Sequence, residues 1–228
     1  IDNFEDAKKI YKNLSKKGEA YKWYSTKQIA RILIQEEKRD EAIELTNSTY
    51  KGLINKKVYE TFDYAEFLKN NEKFKDAISY YTIVLNLIKK DHPLYSEATD
   101  GRGVAYERTG EWDRAEKDLL ASLNADPNQA YVINYLAYSW IEKGIKIEKS
   151  LGMLKKANKL RSNDPYITDS LGWALFKLER YKESKDYLQL AVRLMPGDPI
   201  VNDHYGDALW KNGNDSQLAT KGKRIDQA

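Results

Sequence analysis

Cysteine is absent from the 228 residues, which removes thiol nucleophiles, thiolate metal ligands and disulfides together. Histidine is nearly absent. His92 precedes Pro93, His204 stands beside Asp203, and neither has a partner at metal-ligand spacing. No apolar run approaches the roughly 18 residues a membrane-spanning helix needs. Neither sign of charge dominates: 38 basic and 35 acidic residues leave +3, so composition calls for no nucleic-acid or membrane partner. Gly101-Arg102-Gly103 lacks the third glycine of a dinucleotide loop and follows no strand pattern. A Walker loop and a Gly-x-Ser-x-Gly elbow are both missing. β-branched residues are sparse and never alternate for long, which argues against strands. The chain therefore reads as non-catalytic, with no cofactor and no metal.

What is present is a period. Small residues recur at Ala30, Ala65, Gly103, Ala137, Gly172 and Gly206, in steps of 35, 38, 34, 35 and 34. A second series runs Ala7, Ala42, Ala77, Ala115, Ser150, Ser184 and Ala219, in steps of 35, 35, 38, 35, 34 and 35. The long step falls in the same interval of both series, so one short insertion near Asp91–Tyr95 accounts for both. Repeats of this length build stacked arrays rather than spheres. The balance of 41% hydrophobic against 32% charged residues suits a thin two-layer structure.

Within each period the apolar spacing is helical. Leu171, Leu175 and Leu178 form one stripe, and Tyr187, Leu188, Ala191 and Leu194 form the next. All five prolines lie in or beside the segments between repeats, and Asp-Pro at 126–127, 164–165 and 198–199 reads as a turn opening a new helix. Gly110, Gly144 and Gly213, with Asn70-Asn71 in an earlier unit, sit where a first helix should stop. Each unit is thus two short antiparallel helices, and the small residues mark where their axes cross at about 8–10 Å.

The unit Leu171-Gly172, Leu175, Ser184, Leu188, Ala191, Pro196 resembles the tetratricopeptide repeat (TPR). The resemblance implies an all-α fold: a right-handed α-solenoid of antiparallel helix hairpins, the TPR superhelix. It places six units at about 23–57, 58–95, 96–129, 130–164, 165–198 and 199–228, with 1–22 as the second helix of a partial repeat plus a linker. The unit 23–57 departs most, carrying Thr46 and Thr49 where Leu and Ala are typical. A start on a second helix is odd for a capped array, so further repeats upstream of Ile1 are expected. A narrower resemblance runs through Asn134–Tyr138, Asp169–Leu175 and Asn202–Trp210. These stretches are similar to a group of bacterial envelope TPR proteins, some of them lipoprotein adaptors. That implies a bacterial setting and favours the periplasm or envelope over the cytoplasm.

In this family the second, fifth, ninth and twelfth places of each repeat line a concave groove. The resemblance carries that role onto Asn134, Tyr138, Asp169, Trp173, Phe176, Asp203, Asp207 and Trp210 as peptide- or partner-binding residues. Asn134, Asp169 and Asp203 form a polar series at steps of 35 and 34, suited to successive amides of an extended peptide. Tyr138, Trp173, Phe176 and Trp210 add aromatic surface of the kind that anchors protein partners. The bland alternatives are core packing for the aromatics and local bonding for the polar groups. The same places in earlier repeats are basic at Lys27, Arg31 and Lys69 and turn acidic from Glu97 onward.

The expected function is a protein–protein scaffold or adaptor that holds a partner protein or peptide, without membrane insertion of this segment. An open end and exposed aromatics leave self-association possible. Two alternatives stand beside it. One is a helical-repeat RNA binder, which the groove carboxylates oppose by repelling phosphate. The other is the scaffold part of an enzyme whose catalytic region lies outside these residues.

Overall fold

The computed structural model describes residues 3–225, with side chains through Gly213. The described residues hold α-helices and one 3-10 turn, and they divide into two compact units at Ala125/Asp126.

The first unit contains α1 (Phe4–Leu14), α2 (Glu19–Gln35), α3 (Arg39–Lys51), α4 (Val58–Asn70), α5 (Phe74–Leu87), α6 (Leu94–Arg108) and α7 (Trp112–Ala125). The second contains α8 (Ala130–Glu142), α9 (Ile147–Leu160), α10 (Pro165–Lys177), α11 (Tyr181–Leu194) and α12 (Pro199–Ile225). Sequential helices pair as hairpins, and hairpins stack within each unit.

Each hairpin turn is closed in the same way. Glu37, Glu72, Gly110, Gly144 and Glu179 have left-handed φ between 60° and 84°. The next residue donates its N–H back five places: Lys38 to Leu33, Lys73 to Leu68, Glu111 to Tyr106, Ile145 to Trp140 and Arg180 to Leu175. This satisfies carbonyls that the helix end would otherwise leave bare. Three of the five turns carry Glu, at a cost of roughly 1–2 kcal/mol each relative to glycine. That is why glycine alone does not mark the turns. Gly213, expected to stop a helix, lies inside α12.

The small residues meet their second helices. Ala42, Ala77, Ala115, Ser150 and Ser184 are fully buried. A Cβ on Gly103 would lie 2.9 Å from Leu119 Cγ, and one on Gly172 would lie 2.6 Å from Leu188 Cγ. Gly206 is the exception: no described atom lies within 4 Å of its Cβ position, because α12 runs on where a returning helix was expected.

Aromatics fill the first unit. Tyr50 and Tyr64 stack at 4.1 Å, with Trp23 and Tyr80 packed edge-on against them. The departures at Thr46 and Thr49 have a physical basis: Thr26 Oγ1 bonds Thr49 Oγ1 at 3.1 Å and Thr46 Oγ1 donates to the Ala42 carbonyl at 2.7 Å. Both threonines are buried, so hydrogen bonds replace the missing apolar contact there. Arg102 of α6 grips Asp118 of α7 with two bonds, 2.6 and 3.0 Å, and reaches Thr82 of α5 at 3.1 Å.

Candidate functional site

In the second unit α8 and α10, the first helices of successive hairpins, lie side by side with α12. They enclose an opening of ≈ 200 Å³ lined by Asn134 and Tyr138 from α8, Tyr166 and Asp169 from α10, and Ile200 and Val201 from α12. Two roomier hollows lie at hairpin turns, one at residues 110–114 and one at residues 72–76 with Thr109 of the next turn beside it.

Caps fix how the helices enter the site. Asp164 accepts from the Ile167 amide at 3.1 Å with Pro165 in the first turn of α10, and its other oxygen accepts from Tyr131 Oη at 2.9 Å. Asp198 accepts from the Ile200 and Val201 amides at 2.9 and 3.0 Å. Short acceptor side chains of this kind orient the first turn. They set Tyr166 and Ile200 at the mouth of the opening, 57% and 58% exposed.

The expected site residues separate into three groups. Asn134 and Tyr138 face the opening, and Asn134 Oδ1 is shielded from solvent with no hydrogen-bond partner. Burial, then the charges of Glu142 and Asp169, push the Tyr138 hydroxyl up to about 12, so it stays a neutral donor. Asp169, Trp173 and Phe176 form the wall behind. Asp169 is buried and engaged by His204 Nδ1, 3.0 and 3.1 Å from its two oxygens. Trp173, also buried, stacks on the His204 ring at 4.0 Å and on Phe176 at 4.7 Å, and donates Nε1–H to Glu142 at 2.8 Å. Asp203, Asp207 and Trp210 are exposed, Trp210 by 69%. Neither Asp203 nor Asp207 makes an ion pair among the described residues.

The polar series is therefore not uniform. Asp169 is consumed by an internal pair that ties α12 to α10, while Asn134 and Asp203 are not. His204 was the residue missed. It follows groove place Asp203 by one, and about 100° of helix rotation turns it inward toward α10. Its separation of 35 from Asp169, one repeat, was the available signal.

The first unit uses its equivalent places differently. Lys27 pairs with Asp63. Glu66 accepts from Lys69 Nζ at 2.9 Å and from Tyr81 Oη. Beside them Asp100 is pushed up from its usual 3.8 to about 6, chiefly by burial, with Lys69 opposing and Glu66 and Glu97 adding to the rise. A carboxyl with a raised folded-state pKa favours the fold while protonated. That contribution is complete below about 3.8 and is lost as pH rises through about 6. Asp100→Asn should therefore match wild type near pH 3 and exceed it by up to about 3 kcal/mol above pH 7, as read by urea unfolding across that range. A gap that does not change with pH would contradict this account.

Helical hairpins of one length, stacked through small-residue crossings and closed by one kind of turn, define a helical-repeat scaffold. The chain belongs to the tetratricopeptide-repeat family, whose model matches residues 2–224. Proteins of this fold generally serve as protein-interaction scaffolds and are generally non-catalytic. A TPR repeat-containing protein of Pseudomonas aeruginosa is 27% identical over 139 residues, 58% of this chain and 22% of that protein. The chain thus spans about a fifth of that relative's length. Among solved structures, MamA (AMB-1) aligns with TM-score 0.59 at 20% identity, covering 73% of this chain and 96% of that one. The C-terminal part of a TPR repeat-containing protein from Cytophaga hutchinsonii aligns with TM-score 0.62 at 17% identity, covering 82% and 72%. The first TPR domain of human RPAP3 aligns with TM-score 0.51 at 17% identity, covering 55% and 98%. No described helix is long and apolar enough to cross a membrane.

Proposed function

We propose that this chain is a non-catalytic adaptor that holds an extended segment of a partner protein across α8, α10 and α12. The observation that carries the reading is the opening between these helices. It joins the apolar surfaces of Tyr138, Tyr166 and Ile200 to a solvent-shielded Asn134 Oδ1 that no protein donor satisfies. An unsatisfied buried acceptor costs about 1–3 kcal/mol, and turning the Asn134 side chain toward the opening would let an incoming peptide N–H recover it. Asn134, Tyr138 and Asp203 face or flank the segment, Trp210 extends the apolar surface, and Asp169, Trp173 and Phe176 hold the wall in shape.

The test is capture of partners from a bacterial lysate by wild type and by a Tyr138→Ala/Ile200→Ser chain of unchanged helicity and melting temperature. Proteins retained by wild type should fall at least tenfold on the variant, the loss of about 1.4 kcal/mol or more expected for a binding anchor. Equal recovery on both would place binding elsewhere on the chain.

A further inference from the structure

The opening is apolar inside and acidic at its border. No Lys, Arg or His is among its lining residues; of its two carboxylates, Asp198 caps α12 at the mouth and Asp169 is taken by His204. Asp203 and Asp207 continue that sign along α12. Ile200, Asp203, Asp207 and Trp210 follow one another at steps of three, four and three, so they share one face of the helix. Both aspartates are exposed, and neither is paired among the described residues. At ≈ 200 Å³ the opening is smaller than the roughly 300–1,000 Å³ of small-molecule sites, so it suits one large side chain rather than a cofactor.

We infer that the segment bound here carries one apolar anchor side chain with Lys or Arg close to it in sequence. This rests on the groove reading above and adds the chemistry of the partner. The anchor enters between Tyr138, Tyr166 and Ile200, and the basic side chains meet Asp203 and Asp207. Helix rise puts Asp203 about 4.5 Å and Asp207 about 10 Å beyond Ile200 along α12. An extended peptide covers that span in about three residues, so basic groups within three positions of the anchor are in reach. The exposed Trp210 ring, a turn beyond Asp207, gives a cation a second favourable surface. Acidic peptides and nucleic-acid phosphates meet repulsion on the same face.

The test uses short fluorescent peptides of one length, unstructured and identical except at chosen places: a central Leu flanked by Lys, by Glu or by Ser, and a Lys-flanked control with Ser replacing Leu. Binding is read by polarisation at low and high salt, to wild type, to Asp203→Asn/Asp207→Asn and to Ile200→Ser. The Lys-flanked Leu peptide should bind wild type at least tenfold tighter than its Glu and Ser counterparts. That margin should shrink to about twofold in the double Asn variant and at high salt. Equal binding of the Lys-, Glu- and Ser-flanked peptides, still weakened by Ile200→Ser, would overturn the charge assignment and leave the groove reading standing. Binding that ignores both the Leu and Ile200→Ser, or no binding of any peptide, would overturn both.

Discussion

Asp118→Ala is expected to cost about 3–5 kcal/mol of stability, visible as a large drop in the urea midpoint followed by circular dichroism. Asp118 is only 6% exposed, and its carboxylate takes two bonds from the Arg102 guanidinium. Removing it leaves a partly buried cation with one remaining hydrogen bond, to Thr82 Oγ1, and the face of the Tyr106 ring at 5.8 Å. The penalty is the desolvation of Arg102, not the intrinsic worth of the pair. Replacing both ends by apolar groups, Arg102→Met with Asp118→Leu, should therefore recover most of the loss. A single-variant loss below about 1 kcal/mol would mean that water reaches the pair and that it behaves as a surface ion pair.

Gly172→Val is the second large effect, at about 2–3 kcal/mol. Its first added carbon lies 2.6 Å from Leu188 Cγ and 3.1 Å from the Leu188 amide nitrogen. The side chain can shift but the backbone of α11 cannot without opening the hairpin, so overpacking is expected. In the double variant Gly172→Val/Leu188→Ala the costs should fall short of their sum by about 1 kcal/mol or more, because the two residues contest one space. Gly206 occupies the same repeat register, yet nothing described lies within 4 Å of its Cβ position. Gly206→Ala should be neutral or stabilise by up to about 1 kcal/mol through helix propensity. Strong destabilisation at Gly206 would show that a second helix packs there after all.

These two glycines show how far the repeat pattern reaches. Periodicity identified both as crossing points. A second helix arrives at Gly172, while none reaches Gly206 among the described residues. Hairpin turns were legible at Gly110, at Gly144 and, through Asn70-Asn71, just before Glu72, but not at Glu37 and Glu179. There the backbone accepts left-handed strain because two returning hydrogen bonds offset it. In the site, the register of groove places brought Asn134, Tyr138 and Asp169 to one opening. It did not separate Asp203, which stays free, from Asp169, which His204 takes.

Sequence alone determined the class of this protein: stacked helical hairpins of a tetratricopeptide array, with the residues at their crossings. Helix periodicity and small-residue spacing are local properties repeated many times, so each repeat supports the reading of the next. Tertiary structure decided which polar groups of the second unit are spent internally and which stay unpaired among the described residues. That choice turns on a few ångströms between side chains on α10 and α12, such as the 3.0 Å contact of His204 with Asp169. Such contacts depend on how neighbouring helices rotate against each other, which a one-dimensional period does not encode.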